Sequence, residues 1–353
     1  SKRQNNSLYT QIDKKWGKFN FSLGARYENF SLKTEEKYYV NGDSIVEFNS
    51  AKPVFRTGAN YQIFEGTFIR SSWGQGYRFP SMAELFISTQ IADGIFVYPN
   101  AGLKPENGWS AELGLKQVVK YNTWLGYIDI AGFIMQYDDM MEFTFGRFGE
   151  DNGFENFLGY GFKSVNVGKT QISGVEVSIL GSGNISSNLK MNILAGYTYI
   201  NPISLTPNEV YTTLENPMLN VFGQEEISDL NYNNSSSNPE VLKYRYQHLA
   251  KLDLEIVHKK ISFGTSFRYN DFMKNIDAIF ADEFFSWLVP GIPEARENGK
   301  KGDFIIDSRF YYQINNYIKA GFVINNLLNK EYMNRPANMM PPRTIAINCN
   351  IKI

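Results

Sequence analysis

Along most of this chain, side chains two positions apart share a character and those three or four apart do not. In residues 19–28, Phe19, Phe21, Leu23, Ala25 and Tyr27 fall on one face of an extended segment, with Asn20, Ser22, Gly24, Arg26 and Glu28 on the other. Successive side chains of a β-strand point to opposite faces, so a period of two sustained this long specifies strand and excludes helix. Residues 245–256 repeat the pattern, Tyr246, His248, Ala250, Leu252, Leu254 and Ile256 opposing Arg245, Gln247, Leu249, Lys251, Asp253 and Glu255. In residues 303–312, Phe304, Ile306, Phe310 and Tyr312 oppose Asp303, Asp307 and Arg309. In residues 345–353, Ile345, Ile347, Cys349, Ile351 and Ile353 oppose Ala346, Asn348, Asn350 and Lys352.

The period predicts an all-β protein with about 13 long strands, near residues 5–13, 18–30, 51–63, 66–77, 107–119, 123–143, 161–181, 187–200, 245–258, 260–273, 302–313, 317–330 and 342–353. Many reach ten residues or more, against the five or six usual in soluble proteins. A tilted transmembrane β-strand needs about 9–11 residues, apolar towards lipid and polar towards an enclosed lumen, with aromatic girdles at both interfaces. The 27 Phe and 22 Tyr supply such girdles. Short linkers near residues 13–17, 64–66, 120–122, 181–186, 258–260 and 314–316 alternate with long ones at 31–50, 78–106, 146–160, 201–244, 274–301 and 331–341. Barrels of the outer-membrane type have short periplasmic turns and long external loops, which places the final strand descending to the periplasm.

Other classes lose ground on composition. With 35 Lys plus Arg against 36 Asp plus Glu, the chain has no field to attract nucleic acid. Its one cysteine, Cys349, makes neither an intrachain disulfide nor a paired-cysteine zinc site. His248 and His258, ten residues apart on one strand, cannot share a metal. The glycines of 74–76 and 181–183 lack a phosphate-loop context, and no catalytic constellation emerges. The expectation is no enzyme, no cofactor and no metal.

An odd strand count, and a first segment that runs in the same direction as the last, predict an incomplete antiparallel barrel; a closed 14-stranded barrel is the competing geometry. The chain begins at Ser1 and carries no basic or apolar leader, which reads as a mature product or a fragment.

Several motifs carry a resemblance. SWGQGYRFPSMAELF at residues 72–86 and PNAGLKPENGWSAELGLKQ at 99–117 are followed by NVGKTQISGVEVSI at 166–179, GYTYI at 196–200, NNLLNKEY at 325–332 and PPRTI at 341–345. In this order they resemble the barrel signature of TonB-dependent outer-membrane receptors. The resemblance implies a barrel of about 22 strands closed by an N-terminal plug. Residues 1–353 would then be the C-terminal portion of the barrel, with plug and early strands absent. It further implies a Gram-negative outer-membrane location, surrounding lipid, a plug and the TonB energy-transducing complex as partners, and import of a scarce small nutrient: siderophore, vitamin, glycan or peptide. A passive closed channel or porin, and a soluble carbohydrate-binding β-protein, are the competing functions.

Candidate site residues follow from the patterning. Arg70, Glu112, Glu176, Lys251, Asp253 and Arg309 fall on the lumen face, where a plug would lie. Pro80 cannot continue a strand ladder, so Arg78 and Glu84 belong to a turn leaving the barrel, with loop anchoring preferred for Arg78 over ligand contact. Glu106 or Glu112 is expected to reach a rim or lumen arginine. Aromatic residues of the long loops, Phe96, Tyr98, Phe148, Phe154, Tyr160 and Trp287, are candidates to stack on a flat ligand. Phe145, near a strand end, is expected to anchor at the membrane interface.

Overall fold

The structure, a computed structural model, describes residues 2–36, 44–92, 94–150, 152–219, 226–281, 291–335 and 338–352. Thirteen strands form one antiparallel sheet, each hydrogen-bonded to the next in the order in which the chain supplies them. β1 (Lys2–Trp16) and β2 (Phe19–Glu36) make the first hairpin, β3 (Ser44–Phe64) and β4 (Thr67–Arg78) the second. The chain leaves this wall through α1 (Met82–Phe86), β5 (Thr89–Ala92) and β6 (Ile95–Tyr98), then returns as β7 (Glu106–Tyr121) and β8 (Trp124–Asp138). A second excursion carries β9 (Met141–Arg147), a 3-10 turn at Gly153–Gly159 and β10 (Tyr160–Asn166), before β11 (Thr170–Ser186) and β12 (Leu189–Ser204) rejoin the wall. β13 (Thr212–Leu219), β14 (Glu226–Leu230) and α2 (Tyr232–Ser235) lie outside it. β15 (His248–His258) and β16 (Ile261–Asn270) follow, then α3 (Ile292–Gly299), β17 (Asp303–Gln313) and β18 (Ile318–Asn325). The short pair β19 (Met333–Arg335) and β20 (Asn338–Met339) precedes the last wall strand, β21 (Thr344–Ile351).

The wall does not close: among the described residues β1 pairs only with β2, and β21 only with β18. At one end its hairpins are tight. Gly17, Gly66, Asn122 and Lys259 take positive φ there, the conformation that lets a hairpin reverse without splaying its strands. At the other end stand all the long excursions, so the predicted alternation of short and long connections is present.

Register fixes the two faces. Leu115 pairs with Ile130 and Ile130 with Val177, while Gly114 pairs with Ala131 and Ala131 with Glu176. The first row belongs to an apolar face that the fold leaves uncovered: Leu113 is 59% exposed, Phe263 50% and Ile347 83%. Leaving such residues in water across a whole sheet would forfeit roughly 25 cal/mol per Å² of apolar surface, so this face is built for hydrocarbon. None of the helices among the described residues is long and apolar enough to cross a membrane.

β2 and β3 extend into the segment expected as a loop at 31–50, β18 stops at Asn325 rather than 330, and two expected strands are broken. The strand expected over 123–143 ends at Asp138; Asp139, at φ 54°, turns the chain, and residues 141–147 join a different sheet. The strand expected over 161–181 splits at Gly168, φ 79°, into β10 and β11. Residues on both sides of each break alternate well enough to read as continuous strand, and only the left-handed residue between them marks the departure. The excursions then build their own small domain, a four-stranded sheet in the order β5, β6, β10, β9 with the β13–β14 hairpin beside it. Its core packs Ile95, Phe145, Phe148, Tyr160, Leu214, Leu230 and Ile279 together.

Candidate functional site

The polar face of the wall is crossed by paired charges. Arg70 on β4 donates from Nε to Glu112 on β7 at 2.9 Å and from Nη1 to Asp129 on β8 at 2.5 Å. Arg309 on β17 grips Asp253 on β15 with both terminal nitrogens, each at 2.7 Å. Arg56 on β3 donates to Gln11 on β1 at 2.7 Å. All three reach the second strand along, and in each case the residue paired with the arginine on the intervening strand is glycine: Gly114, Gly264 and Gly24. A Cβ on Gly114 would stand 2.7 Å from the Arg70 Cζ, one on Gly264 2.5 Å from the Arg309 Nε, and one on Gly24 2.8 Å from the Arg56 Nε. The missing methyl lets the side chain lie flat on the sheet and span three strands.

Arg70, Glu112, Asp253 and Arg309 are thus brought into two clusters, whereas Glu176 and Lys251 occupy the same face without joining either. The same register reveals a patch that charge counting missed. Leu180 pairs with Tyr127 on one side and Leu194 on the other, and Leu194 pairs with Asp253. These apolar side chains, with Val118 and Leu125, therefore stand on the polar face and line a shallow concavity there. Leu125 is 57% exposed, Leu180 41% and Leu194 44%.

Arg78 ends β4 and ties the rim. It donates from Nη1 to Glu84 at 2.8 Å and from Nε to Glu106 at 2.9 Å. Glu84 also closes a capping box on α1, accepting from the Ser81 amide while Ser81 Oγ accepts from the Glu84 amide. Glu106 accepts in addition from the Met141 amide at 3.0 Å, so one arginine links the wall to two excursions. Where an arginine contact is expected for Glu106 or Glu112, the structure makes both, Glu106 with Arg78 and Glu112 with Arg70.

The loop aromatics have mixed positions. Phe148 and Tyr160 are buried in the core of the loop domain, and Tyr98 packs against that core beside Phe96. Phe145, expected at the membrane interface, is only 2% exposed and sits at the centre of the same core, stacked on Tyr160. It misleads because β9 leaves the wall before reaching it. Phe154 belongs to the 3-10 turn, and Trp287 lies outside the described residues.

Beneath these rings is a buried charge cluster that the sequence did not disclose. Lys243, 2% exposed, donates to Asp277 at 2.6 Å and to Thr144 at 3.0 Å, and Tyr244 donates to the other Asp277 oxygen at 2.7 Å. Burial alone would lower the Lys243 pKa, but Asp277 overrides it and keeps the ammonium charged. Burial likewise lifts the Tyr244 hydroxyl well above its ordinary value, reinforced by Asp277.

Glu142 fares differently: Arg245 is 3.9 Å away, and Oε1 has no hydrogen-bond partner. Burial raises its pKa above 4.5 despite Lys243 and Arg245. A carboxyl with a folded pKa above its unfolded one costs stability as pH rises through the interval between them, and costs nothing below it. Glu142→Gln is therefore expected to stabilise the loop domain at pH 7.5 by about 1 kcal/mol and to give no gain at pH 4. Amide hydrogen exchange of residues 141–166 at the two pH values checks this; equal protection at pH 7.5 would refute it.

A family model described as TonB dependent receptor-like, beta-barrel, matches residues 1–327. The chain belongs to that family. The copper transporter OprC superposes with a TM-score of 0.64 at 14% identity, over 99% of this chain and 48% of OprC. The siderophore receptor PiuA from Acinetobacter baumannii gives 0.62 at 16% identity, over 99% and 43%. The Serratia marcescens hemophore receptor HasR, solved with HasA and heme, gives 0.62 at 13%, over 99% and 51%. No curated protein matches the sequence. This receptor chain spans about half the length of those structures, and the likeness establishes the shared fold. TonB-dependent receptor barrels are outer-membrane proteins of Gram-negative bacteria that serve nutrient import.

Proposed function

We propose that the chain is the C-terminal wall of an outer-membrane active importer that captures a scarce nutrient at its loop end and passes it inward when a plug moves. The observation that carries this over a passive pore is the apolar patch of Leu125, Tyr127, Leu180 and Leu194 on the polar face. A water-filled channel would leave that patch wet, at a cost of about 1.5–3 kcal/mol for each leucine that could otherwise be covered. A packed domain inside the barrel removes the cost, and the internally paired arginines suit a wall that meets protein. In this reading the plug, the remaining strands, surrounding lipid and the TonB complex are the partners, and the energy is the inner-membrane proton-motive force. The structural relatives include a copper transporter, a siderophore receptor and a receptor solved with heme, which makes metals and metal chelates the first class to try.

The test is accumulation by cells expressing the full-length protein, with labelled ferric catecholate, heme, cobalamin, an oligosaccharide and an oligopeptide offered in turn. Uptake of at least one is expected to fall by more than about tenfold when a protonophore collapses the proton gradient, since transport against a gradient needs that input. Uptake that persists under the protonophore supports a passive channel. Recovery of the protein in buffer without detergent would support the soluble alternative.

A further inference from the structure

A cavity of about 350 Å³ opens at the loop end of the wall, between the segment following β16 and the β19–β20 hairpin. Tyr246, Phe272, Met273, Met333 and Met339 give it an aromatic and thioether lining, and Arg296 of α3 enters from one side. The guanidinium stacks on the Phe272 ring at 4.6 Å and donates one N–H, from Nη1, to the Met273 carbonyl at 3.0 Å. An arginine carries five N–H donors in a rigid fork, so most of this one is uncommitted. Two other cations line the cavity: Lys330, about a third exposed, is matched by Asp303 at 3.2 Å and by the Gly302 carbonyl, and Arg335 stands exposed to solvent. Asp271 and Glu331 also line the cavity, but among the described residues no carboxylate forms an ion pair with Arg296.

A partly desolvated charge without a counter-ion is costly unless something supplies one. Burial accordingly pulls the Arg296 pKa down. The stacking on Phe272 holds the fork in place before any ligand arrives, and thioethers adapt to varied apolar shapes.

We propose that this cavity binds a small carboxylate carried on an aromatic or aliphatic body, the carboxylate bridging the free edge of Arg296 and the body lying against Tyr246, Phe272 and the methionines. The proposal deepens the import reading by naming a cargo class, and rests on that reading only for what happens after binding. The paired wall arginines cannot offer such a site because their forks are already closed on Asp129 and Asp253.

The probe is 4-fluorobenzoate, followed by ¹⁹F line broadening with the detergent-solubilised full-length protein, beside neutral 4-fluorobenzyl alcohol. Broadening of the benzoate alone is expected, and Arg296→Gln should weaken it by at least about tenfold, the scale of a lost charge-assisted pair. Arg296→Lys, which keeps the charge but not the fork, should weaken it by about threefold and guards against a folding artefact; heat-modifiable gel mobility confirms assembly of each variant. Equal broadening by the alcohol, unchanged benzoate binding in Arg296→Gln, or full displacement by equimolar inorganic phosphate would each overturn the carboxylate assignment. Binding is read without proton-motive force. A protein that binds benzoate through Arg296 but shows no energised uptake refutes the import reading alone, and one that imports but ignores benzoate refutes this proposal alone.

Discussion

Replacing Lys243 with methionine is expected to destabilise the loop domain by about 3–5 kcal/mol while leaving the thirteen-stranded wall in place. The substitution keeps the volume of the stem but strands Asp277, 1% exposed, without its cation. Thr144 and Tyr244 would remain as donors to it, and two neutral hydrogen bonds do not replace an ammonium at 2.6 Å. Hydrogen exchange should show lost protection in residues 141–166 and 231–281, with the hairpins of β1 to β4 unchanged. The double variant Lys243→Met with Asp277→Leu should recover most of the loss, because removing both charges abolishes the desolvation penalty along with the attraction. A single variant as protected as the wild type would show that the pair is not what holds these loops together.

The second large effect belongs to the inner face. Leu180→Asp combined with Leu194→Asp is expected to assemble a barrel of normal heat-modifiability and yet weaken retention of a plug by several kcal/mol, from about 1.5–3 kcal/mol of lost burial per leucine. Two carboxylates, placed beside Asp253, would favour water over a packed protein surface. Vancomycin, too large for general porins, reports the outcome: cells carrying the double variant should become sensitive, those carrying Leu113→Asn on the lipid face should not. Unchanged resistance in the double variant would mean that nothing covers this patch.

The wall was legible in the sequence because its signal is covalent. Side-chain direction alternates along any extended chain, so Phe19 to Glu28 or Asp303 to Tyr312 show both faces before any partner strand is known. The loop domain was not legible for the converse reason. Its strands are short: Ile95–Tyr98 has only four residues, too few to fix a period, and pairs in parallel with a segment more than sixty residues away. Phe145 and Tyr160 looked like exposed rings because a long connection is normally a solvated one. The Lys243 cluster joins residues 144, 243 and 277, a proximity that no local pattern encodes. Lumen charges could be placed on a face, but which arginine meets which acid depended on register, and the leucines among them were invisible until Leu180 was seen beside Leu194.

Each arginine that lies across a glycine acts as a key in a slot. For β7 to slide against β4 by two positions, the Arg70 side chain would have to ride over Glu112 or Lys116, where no gap is cut for it. Neighbouring strands joined only by ladder hydrogen bonds can exchange one set for an equivalent set after such a slip; a strand pinned through its middle neighbour cannot. The three clamps, across β1–β3, β4–β8 and β15–β17, therefore make those parts of the wall stiff against shear along the strands. That is the direction in which traffic through the bore would drag it.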